Sequence, residues 1–192
     1  MSMAVNQQRG IVIAILLLVF MAATRFHHFG SMLHLPDASW AIFFAVGFYL
    51  RKSLWLLVFL ATAGLIDYLS ISQFGNSSYC ISPAYGFLLP AYASLWWGGR
   101  FFSQENSYQA RSLITLAATV IVATSACYLI SNGAFYWFSG HFEDANIAEY
   151  FARAMQYYPM FLKTTVGYVA AFTAVHLVLR WGFRDTATLH SS

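Results

Sequence analysis

Six apolar stretches alternate with short polar stretches along the chain. The first five cover residues 10–24, 36–50, 53–70, 82–99 and 112–130, and the sixth ends at Arg180. A membrane-spanning helix needs roughly 20 mainly apolar residues, and the short first stretch reaches that length by extending into its flanks. The pattern therefore predicts six transmembrane helices. Arg9 and the Ala22-Ala23 pair around the first stretch would also suit a signal peptide, but an uncleaved helix is simpler because further spans follow.

The composition places these helices in a lipid bilayer. Hydrophobic residues make up 59% of the 192 residues, charged residues make up 9%, and the mean hydropathy is +0.59. Soluble domains carry about 25% charged residues, so this composition excludes a soluble domain. No long extramembrane region interrupts the pattern, which predicts one transmembrane domain over residues 1–192. The net charge of +3 does not indicate a nucleic-acid partner, because the basic residues gather at the ends of the apolar stretches.

The basic residues predict the orientation in the membrane, because lysine and arginine in short loops accumulate on the cytoplasmic side. One side of the predicted bundle carries Arg9, Arg51, Lys52, Arg100, Arg111, Arg180 and Arg184. The opposite side carries only Arg25 and Arg153. The first side is therefore predicted to be cytoplasmic, and both chain termini lie on it. Three polar regions, at about residues 25–37, 70–83 and 131–153, then converge on the outer face, where they would roof a ligand site. Within the last of these regions, residues 146–158 could already be helical.

The loop of residues 70–83 carries a candidate reactive thiol. Cys80 lies two residues before the predicted start of the fourth helix at Ser82-Pro83, a pair typical of a helix N-terminus. The positive end of a helix dipole lowers the pKa of a thiol, so Cys80 is a candidate nucleophile and soft metal ligand. Two alternatives stay open: a disulfide with Cys127 in the fifth stretch, or a thiol without a role. Two cysteines are too few for a disulfide framework.

Other polar side chains are predicted to face the same outer site. Asp67 lies about one turn inside the outer end of the third stretch, where a carboxylate is costly and usually has a partner. It would serve either as an anchor for a ligand or in an internal ion pair with Arg25, Arg153 or a histidine. His28 and Arg153, in the first and last outer loops, are candidates for hydrogen bonds to a ligand. The histidines of the first outer loop lack the usual spacing of a zinc site.

Aromatic residues are concentrated in the outer loops. The set includes Tyr79, Tyr85, Phe135, Tyr136, Trp137, Phe138 and Phe142. Aromatic side chains are enriched where a membrane meets water, and they also line pockets for large ligands. Both interpretations stay open on the sequence alone. The chain contains no nucleophile–base triad, phosphate-binding loop or zinc-protease motif.

Together these features resemble the BtuM family of cobalamin transporters, which is related to the substrate-binding S-components of energy-coupling-factor transporters. The resemblance covers the whole chain. It rests on Cys80 with Tyr85 after it and Asp67 before it, on His28 in the first outer loop and on Arg153 in the last. It implies an S-component-like bundle in the bacterial inner membrane that binds cobalamin from the periplasmic side.

The resemblance also implies roles for individual residues. Cys80 would be the axial ligand to the cobalt of base-off cobalamin, and its thiolate would promote the loss of cyanide from cyanocobalamin. No separate metal held by the protein is implied. The residues that bind the rest of the ligand would be His28, Asp67, Tyr79, Tyr85, Phe142 and Arg153.

One departure from the family pattern concerns the energising module. S-components usually dock to that module through small residues spaced four apart on the first helix, whereas this chain has the row Ala14, Leu18 and Ala22. The leucine favours a transporter that works without the module. Two other functions stay open: a membrane thiol oxidoreductase that uses Cys80 and Cys127, and an S-component for a smaller vitamin.

Overall fold

The computed structural model describes residues 2–28, 35–74, 82–105 and 110–189. Within these ranges it contains six α-helices, one short 3-10 helix and no strand. The α-helices are α1 (Ser2–His28), α2 (Ser39–Leu50), α3 (Ser53–Phe74), α4 (Leu88–Phe102), α5 (Ala110–Phe138) and α6 (Ile147–Leu189). The 3-10 helix, Pro83–Phe87, leads directly into α4.

Four of the described helices are long and apolar enough to cross a membrane. Their apolar segments are Gln7–Arg25, Ser53–Gln73, Arg111–Phe138 and Ile147–Arg180. The other two, α2 and α4, have 12 and 15 residues. At 1.5 Å per residue they reach only about 18 and 22 Å, less than the hydrocarbon thickness of about 30 Å. The described fold is therefore that of an all-helical, multi-pass membrane protein.

The central helix of the bundle is α2. Its side chains are apolar on every face, and Ala41, Ile42, Phe43 and Val46 are fully buried. A helix that is hydrophobic all round lies either in a core or in contact with lipid, and the burial of these residues shows that α2 lies in the core. Here α4 packs most extensively along it, and the ring of Phe43 stacks on that of Tyr92 with 4.3 Å between centroids. The core of the bundle thus forms around a helix too short to span the membrane by itself.

The first and last helices approach the same end of α2. Gly10 of α1 lies beside Leu50, and the Nδ1 atom of His176 in α6 is 3.1 Å from the hydroxyl of Tyr49. The connection between α2 and α3 lies here, and we call this the turn end. The opposite end, where α1 ends and α2 begins, is called the loop end.

Several helices extend beyond their predicted bounds. The prediction of a polar loop from Arg25 is wrong, because α1 continues through Arg25 to His28. The fourth helix continues through Gly98 and Gly99, where a stop was predicted, because these residues lie against neighbouring helices. In the polar region at 131–153, α5 extends to Phe138, further than predicted, whereas α6 begins at Ile147 and confirms the helix expected over residues 146–158.

Candidate functional site

A buried ion pair joins α1 to α3 at the loop end. Arg25 donates through Nε to Oδ1 of Asp67 at 2.7 Å and through Nη2 to Oδ2 at 2.6 Å. The two residues are only 7% and 5% exposed. A two-pronged contact of this kind fixes both the position and the angle of the carboxylate. Because either charge alone would be costly inside the bundle, the pair explains how α1 continues past an arginine.

The same guanidinium reaches two further helices. Its Nη1 donates to the hydroxyl of Ser39 at 3.1 Å and to the hydroxyl of Tyr92 at 3.0 Å. Nη1 also lies 3.4 Å from the carboxylate of Asp37. The other oxygen of that carboxylate accepts hydrogen bonds from the backbone and hydroxyl of Ser39. Arg25 of α1 therefore contacts polar side chains at the start of α2, in α3 and in α4.

Tyr85 connects the 3-10 helix to this ion pair. Its hydroxyl donates to Oδ2 of Asp67 at 2.6 Å. Burial, reinforced by the Asp67 carboxylate, raises the pKa of Tyr85 well above its ordinary value, so the phenol stays protonated and remains a donor. Asp67 precedes the loop that contains Cys80 and Tyr85 follows it. Their hydrogen bond therefore ties the chain before this loop to the chain after it.

A second group of side chains surrounds Arg153 between α5 and α6. The guanidinium carbon of Arg153 lies 4.7 Å from the ring centroid of Phe142 and 5.8 Å from that of Tyr157. Among the described residues, no carboxylate forms an ion pair with Arg153. Arg153 borders a cleft of about 40 Å³ whose other walls include Tyr128, Asn132, Tyr136 and Tyr150. The cation is thus held by aromatic rings and is free to meet an oxygen of a ligand.

Two contacts place this cleft at the loop end as well. Phe87 of the 3-10 helix stacks on Phe138 at the end of α5, with 5.3 Å between centroids and 4° between planes. The hydroxyl of Tyr136 donates to the carbonyl of Asn146 at 3.1 Å and accepts from its backbone N–H at 2.9 Å. These bonds close the turn between α5 and α6. The aromatic cleft and the Arg25 ion pair therefore lie at the same end of the bundle.

Four predicted ligand-binding residues come together in two pairs. Asp67 is hydrogen-bonded to Tyr85, and Arg153 lies over the ring of Phe142. Of the two interpretations of Asp67, the internal ion pair is the one present, and the partner is Arg25.

The remaining predicted site residues lie outside the described part of the chain. These are Tyr79, Cys80 and the side chain of His28, whose backbone ends α1. Within the described ranges, no group of three or more His, Cys, Asp and Glu side chains is arranged to hold a metal ion. An axial ligand to a metal already held in a corrin would require only one such side chain.

The predicted start of the fourth helix at Ser82-Pro83 is confirmed, but its first turns are 3-10 helix and not α-helix. The 3-10 helix occupies Pro83–Phe87, the side chain of Ser82 makes no capping hydrogen bond, and α4 begins only at Leu88. Helix N-termini often start with such a tighter turn. Because the 3-10 helix runs directly into α4, the helix N-terminus still lies two residues after Cys80 in the chain, and the lowered pKa of the Cys80 thiol stays a prediction.

Cys127 is a free thiol in α5 and is 0% exposed. The alternative of a disulfide with Cys80 is therefore wrong for this structure. A small buried thiol is common in helix cores, where it packs as an apolar side chain. A redox pair of Cys80 and Cys127 would require this part of α5 to open.

The sequence analysis named Arg25 as one possible partner of Asp67, and the ion pair confirms that alternative. It missed Ser39 and Tyr92, which complete the contacts of the same guanidinium. Ser39 and Tyr92 gave no signal, since hydroxyl groups are common near helix ends.

The chain was also compared with known proteins. It matches no protein-family model, and it matches no curated protein. The resemblance to cobalamin transporters therefore rests on the residues quoted above.

Proposed function

We propose that this protein binds cobalamin at its loop end and takes it across the bacterial inner membrane. The observation that supports the proposal most directly is the 2.6 Å hydrogen bond between Asp67 and Tyr85. It joins the two sides of the loop that contains Cys80, the residue expected to meet the cobalt. The aromatic cleft with Arg153 lies at the same end, where it offers a cation and ring faces to a large ligand.

Four of the predicted site residues have proposed roles toward the corrin and its cobalt. The thiolate of Cys80 donates an electron pair to the lower axial position of cobalt after the nucleotide base has left it. A strongly donating sulfur weakens the bond to the upper ligand. Bound cyanide then leaves as the anion, and an external reductant supplies the electron that converts Co(III) to Co(II). Tyr79, Phe142 and His28 contact the corrin and its side groups.

The cleft beside Arg153 would receive only part of the ligand. Its volume of about 40 Å³ is far below the roughly 300–1,000 Å³ of pockets that enclose a small molecule. Amide and phosphate oxygens at the edge of cobalamin fit such a space, and Arg153 is suited to bind them. The corrin ring itself would lie outside the cleft.

We also propose the arrangement in the membrane. All six α-helices belong to the membrane domain, the turn end faces the cytoplasm with both termini, and the loop end faces the periplasm. The excess of lysine and arginine near the turn end supports this orientation.

No energising module is proposed to dock on the small-residue row of α1. Ala14 is 1% exposed, and Leu18 and Ala22 pack against the core. The row therefore faces mainly the bundle and leaves only the half-buried Leu18 and Ala22 to a partner, which supports a transporter that works alone.

The proposal is tested by the visible spectrum of purified protein loaded with cyanocobalamin. With a chemical reductant added to supply the electron that converts Co(III) to Co(II), we expect wild type to retain cobalamin with an altered spectrum and to release cyanide, whereas Cys80→Ala retains cyanide under the same conditions. Cys127→Ala is the matched control, because it removes the other thiol, and it should behave as wild type. Identical spectra with cyanide retained in wild type and Cys80→Ala would refute the role of Cys80.

A second candidate is a transporter for a smaller vitamin in which Cys80 has no role. The small cleft is consistent with it, because the cleft would hold a larger share of a smaller ligand. About 40 Å³ would accept a ligand group close to the size of a few atoms. Protein purified from cobalamin-fed cells distinguishes the two, since absence of any corrin spectrum would favour the smaller vitamin.

A further inference from the structure

Arg25 of α1 makes polar contacts with three other helices of the bundle at the loop end. Its Nε and Nη2 hold Asp67, and its Nη1 holds Ser39 and Tyr92. Through Asp67 it also reaches Tyr85 in the 3-10 helix. The chain on both sides of the loop that contains Cys80 is thus anchored to one guanidinium.

We propose that Arg25 is the positioning residue of this site. It orients the Asp67 carboxylate so that Oδ2 receives the hydroxyl of Tyr85, and this fixes the 3-10 helix against α3. Asp67 accordingly acts within the protein and does not contact the ligand directly. The part of this inference that concerns cobalamin rests on the proposed function, whereas the part that concerns the position of Tyr85 does not.

The geometry requires an arginine. A guanidinium presents five N–H donors in a fixed plane, and here Nε and Nη2 bind the two oxygens of Asp67 while Nη1 points to Ser39 and Tyr92. A lysine carries three donors on a single nitrogen. It would preserve the charge opposite Asp67, but it has no second prong to fix the angle of the carboxylate.

The carboxylate angle matters to Tyr85 because Oδ2 is shared. This oxygen accepts from Nη2 of Arg25 at 2.6 Å and from the Tyr85 hydroxyl at 2.6 Å. If the carboxylate rotates, both bonds cannot be kept. Loss of the two bonds from Nε and Nη2 to Asp67 is therefore expected to release the hydroxyl of Tyr85 even when the positive charge at position 25 remains.

The first test measures the reactivity of Cys80 without any ligand. The rate of its alkylation by a membrane-impermeant maleimide is measured in a Cys127→Ser background, in which Cys80 is the only thiol. Cys80 is used as the probe because it lies five residues before Tyr85 in the chain. We expect Arg25→Lys and Tyr85→Phe each to change the rate by about fivefold, as for the loss of one hydrogen bond. Arg100→Gln is the matched control, since Arg100 bonds to the Arg51 carbonyl at the turn end, and it should leave the rate unchanged.

The decisive measurement is the double variant. If Arg25 acts through Tyr85, Arg25→Lys combined with Tyr85→Phe changes the rate no more than the larger single change. Multiplied effects, or an unchanged rate in Arg25→Lys, would overturn the proposal. If Arg25→Lys does not fold, Asp67→Glu takes its place in the cycle, because it keeps both charges and moves the carboxylate away from the position that Nε and Nη2 of Arg25 impose.

The second test uses cyanocobalamin. In Arg25→Lys at saturating ligand, we expect a smaller fraction of bound cobalamin to show the Cys80-dependent spectrum, with a weaker effect on the dissociation constant. If wild type binds no cobalamin, the proposed function fails, while the alkylation cycle still decides the role of Arg25. A Cys80-dependent spectrum of full size in Arg25→Lys would overturn the cobalamin part of the inference.

Discussion

Gly99 of α4 lies directly against the backbone carbonyl of Phe44 in α2. A Cβ atom at Gly99 would overlap this carbonyl, and Gly47 meets the carbonyl of Trp96 in the same way from the other helix. The two glycines let the helix backbones touch, a common device where membrane helices pack without a hydrophobic driving force. The loop end depends on this contact, because α2 and α4 carry Ser39 and Tyr92.

Gly99→Ala is therefore expected to destabilise the protein strongly. The clash involves backbone atoms, so α2 and α4 must move apart, and overpacking of this kind costs about 1–3 kcal/mol or more. The measurement is thermal unfolding of the purified protein in detergent. Gly167→Ala is the matched control, because nothing lies within 4 Å of its added Cβ. An equal loss of stability in both variants would contradict this account of the crossing.

Removal of one partner from the buried ion pair should cost more than removal of both. Asp67→Leu leaves the Arg25 charge buried with only Asp37 at 3.4 Å, and such a loss typically costs about 3–5 kcal/mol. The double variant Arg25→Met/Asp67→Leu should be destabilised by less than the sum of the single variants. Chemical denaturation in micelles measures the cycle. Strictly additive losses would show that the two charges do not stabilise each other.

Tyr85 should give the protein a specific sensitivity to alkaline pH. Its folded-state pKa is raised above the unfolded value of about 10, because burial and the Asp67 carboxylate disfavour the phenolate. The stability that depends on the protonated phenol is thus fully present below about pH 10 and is lost as the pH rises further toward the folded pKa. Tyr85→Phe should reduce the fall in unfolding free energy above pH 10. An unchanged alkaline fall in the variant would argue against this hydrogen bond.

Arg153→Gln should weaken cobalamin binding while it changes stability little. A contact between a cation and a partly exposed ring contributes about 0.5–1 kcal/mol to folding, whereas a charged hydrogen bond to a ligand contributes about 1.5–3 kcal/mol. We therefore expect a loss of affinity of roughly tenfold or more. Equilibrium binding is compared with Arg111→Gln, an exposed arginine at the other end of the bundle. If both variants bind as wild type does, Arg153 does not contact the ligand.

The extent of the helices was only partly predictable from the sequence. The apolar stretches predicted helices at the observed places, but α1 and α5 pass through polar or aromatic positions that a local pattern treats as loop. Arg25 is tolerated within the bundle because it pairs with Asp67, which lies 42 residues away in the chain. A window along the sequence does not contain that partner.

The inward and outward faces of the helices were not predictable either. In a bilayer the lipid-facing side of a helix is as apolar as the side facing the core, so no polar stripe marks the outside. The sequence did not show which way the row with Ala14 faces: Ala14 is buried in the core, while Leu16 and Val19 beside it are both 64% exposed. Only the packing of α1 against its neighbours decides which side is which.

The sequence by itself determined that this is a helical membrane protein and that its chemically interesting residues belong near one end. Apolar length and the placement of charges suffice for that, because both follow from the cost of burying polar groups in lipid. The tertiary structure decided which of those residues meet. Asp67 is joined to Arg25 and Tyr85 by hydrogen bonds of 2.6–2.7 Å, which depend on elements brought together from distant parts of the chain. Arg153 lies over the ring of Phe142 because the turn between α5 and α6 brings the two together.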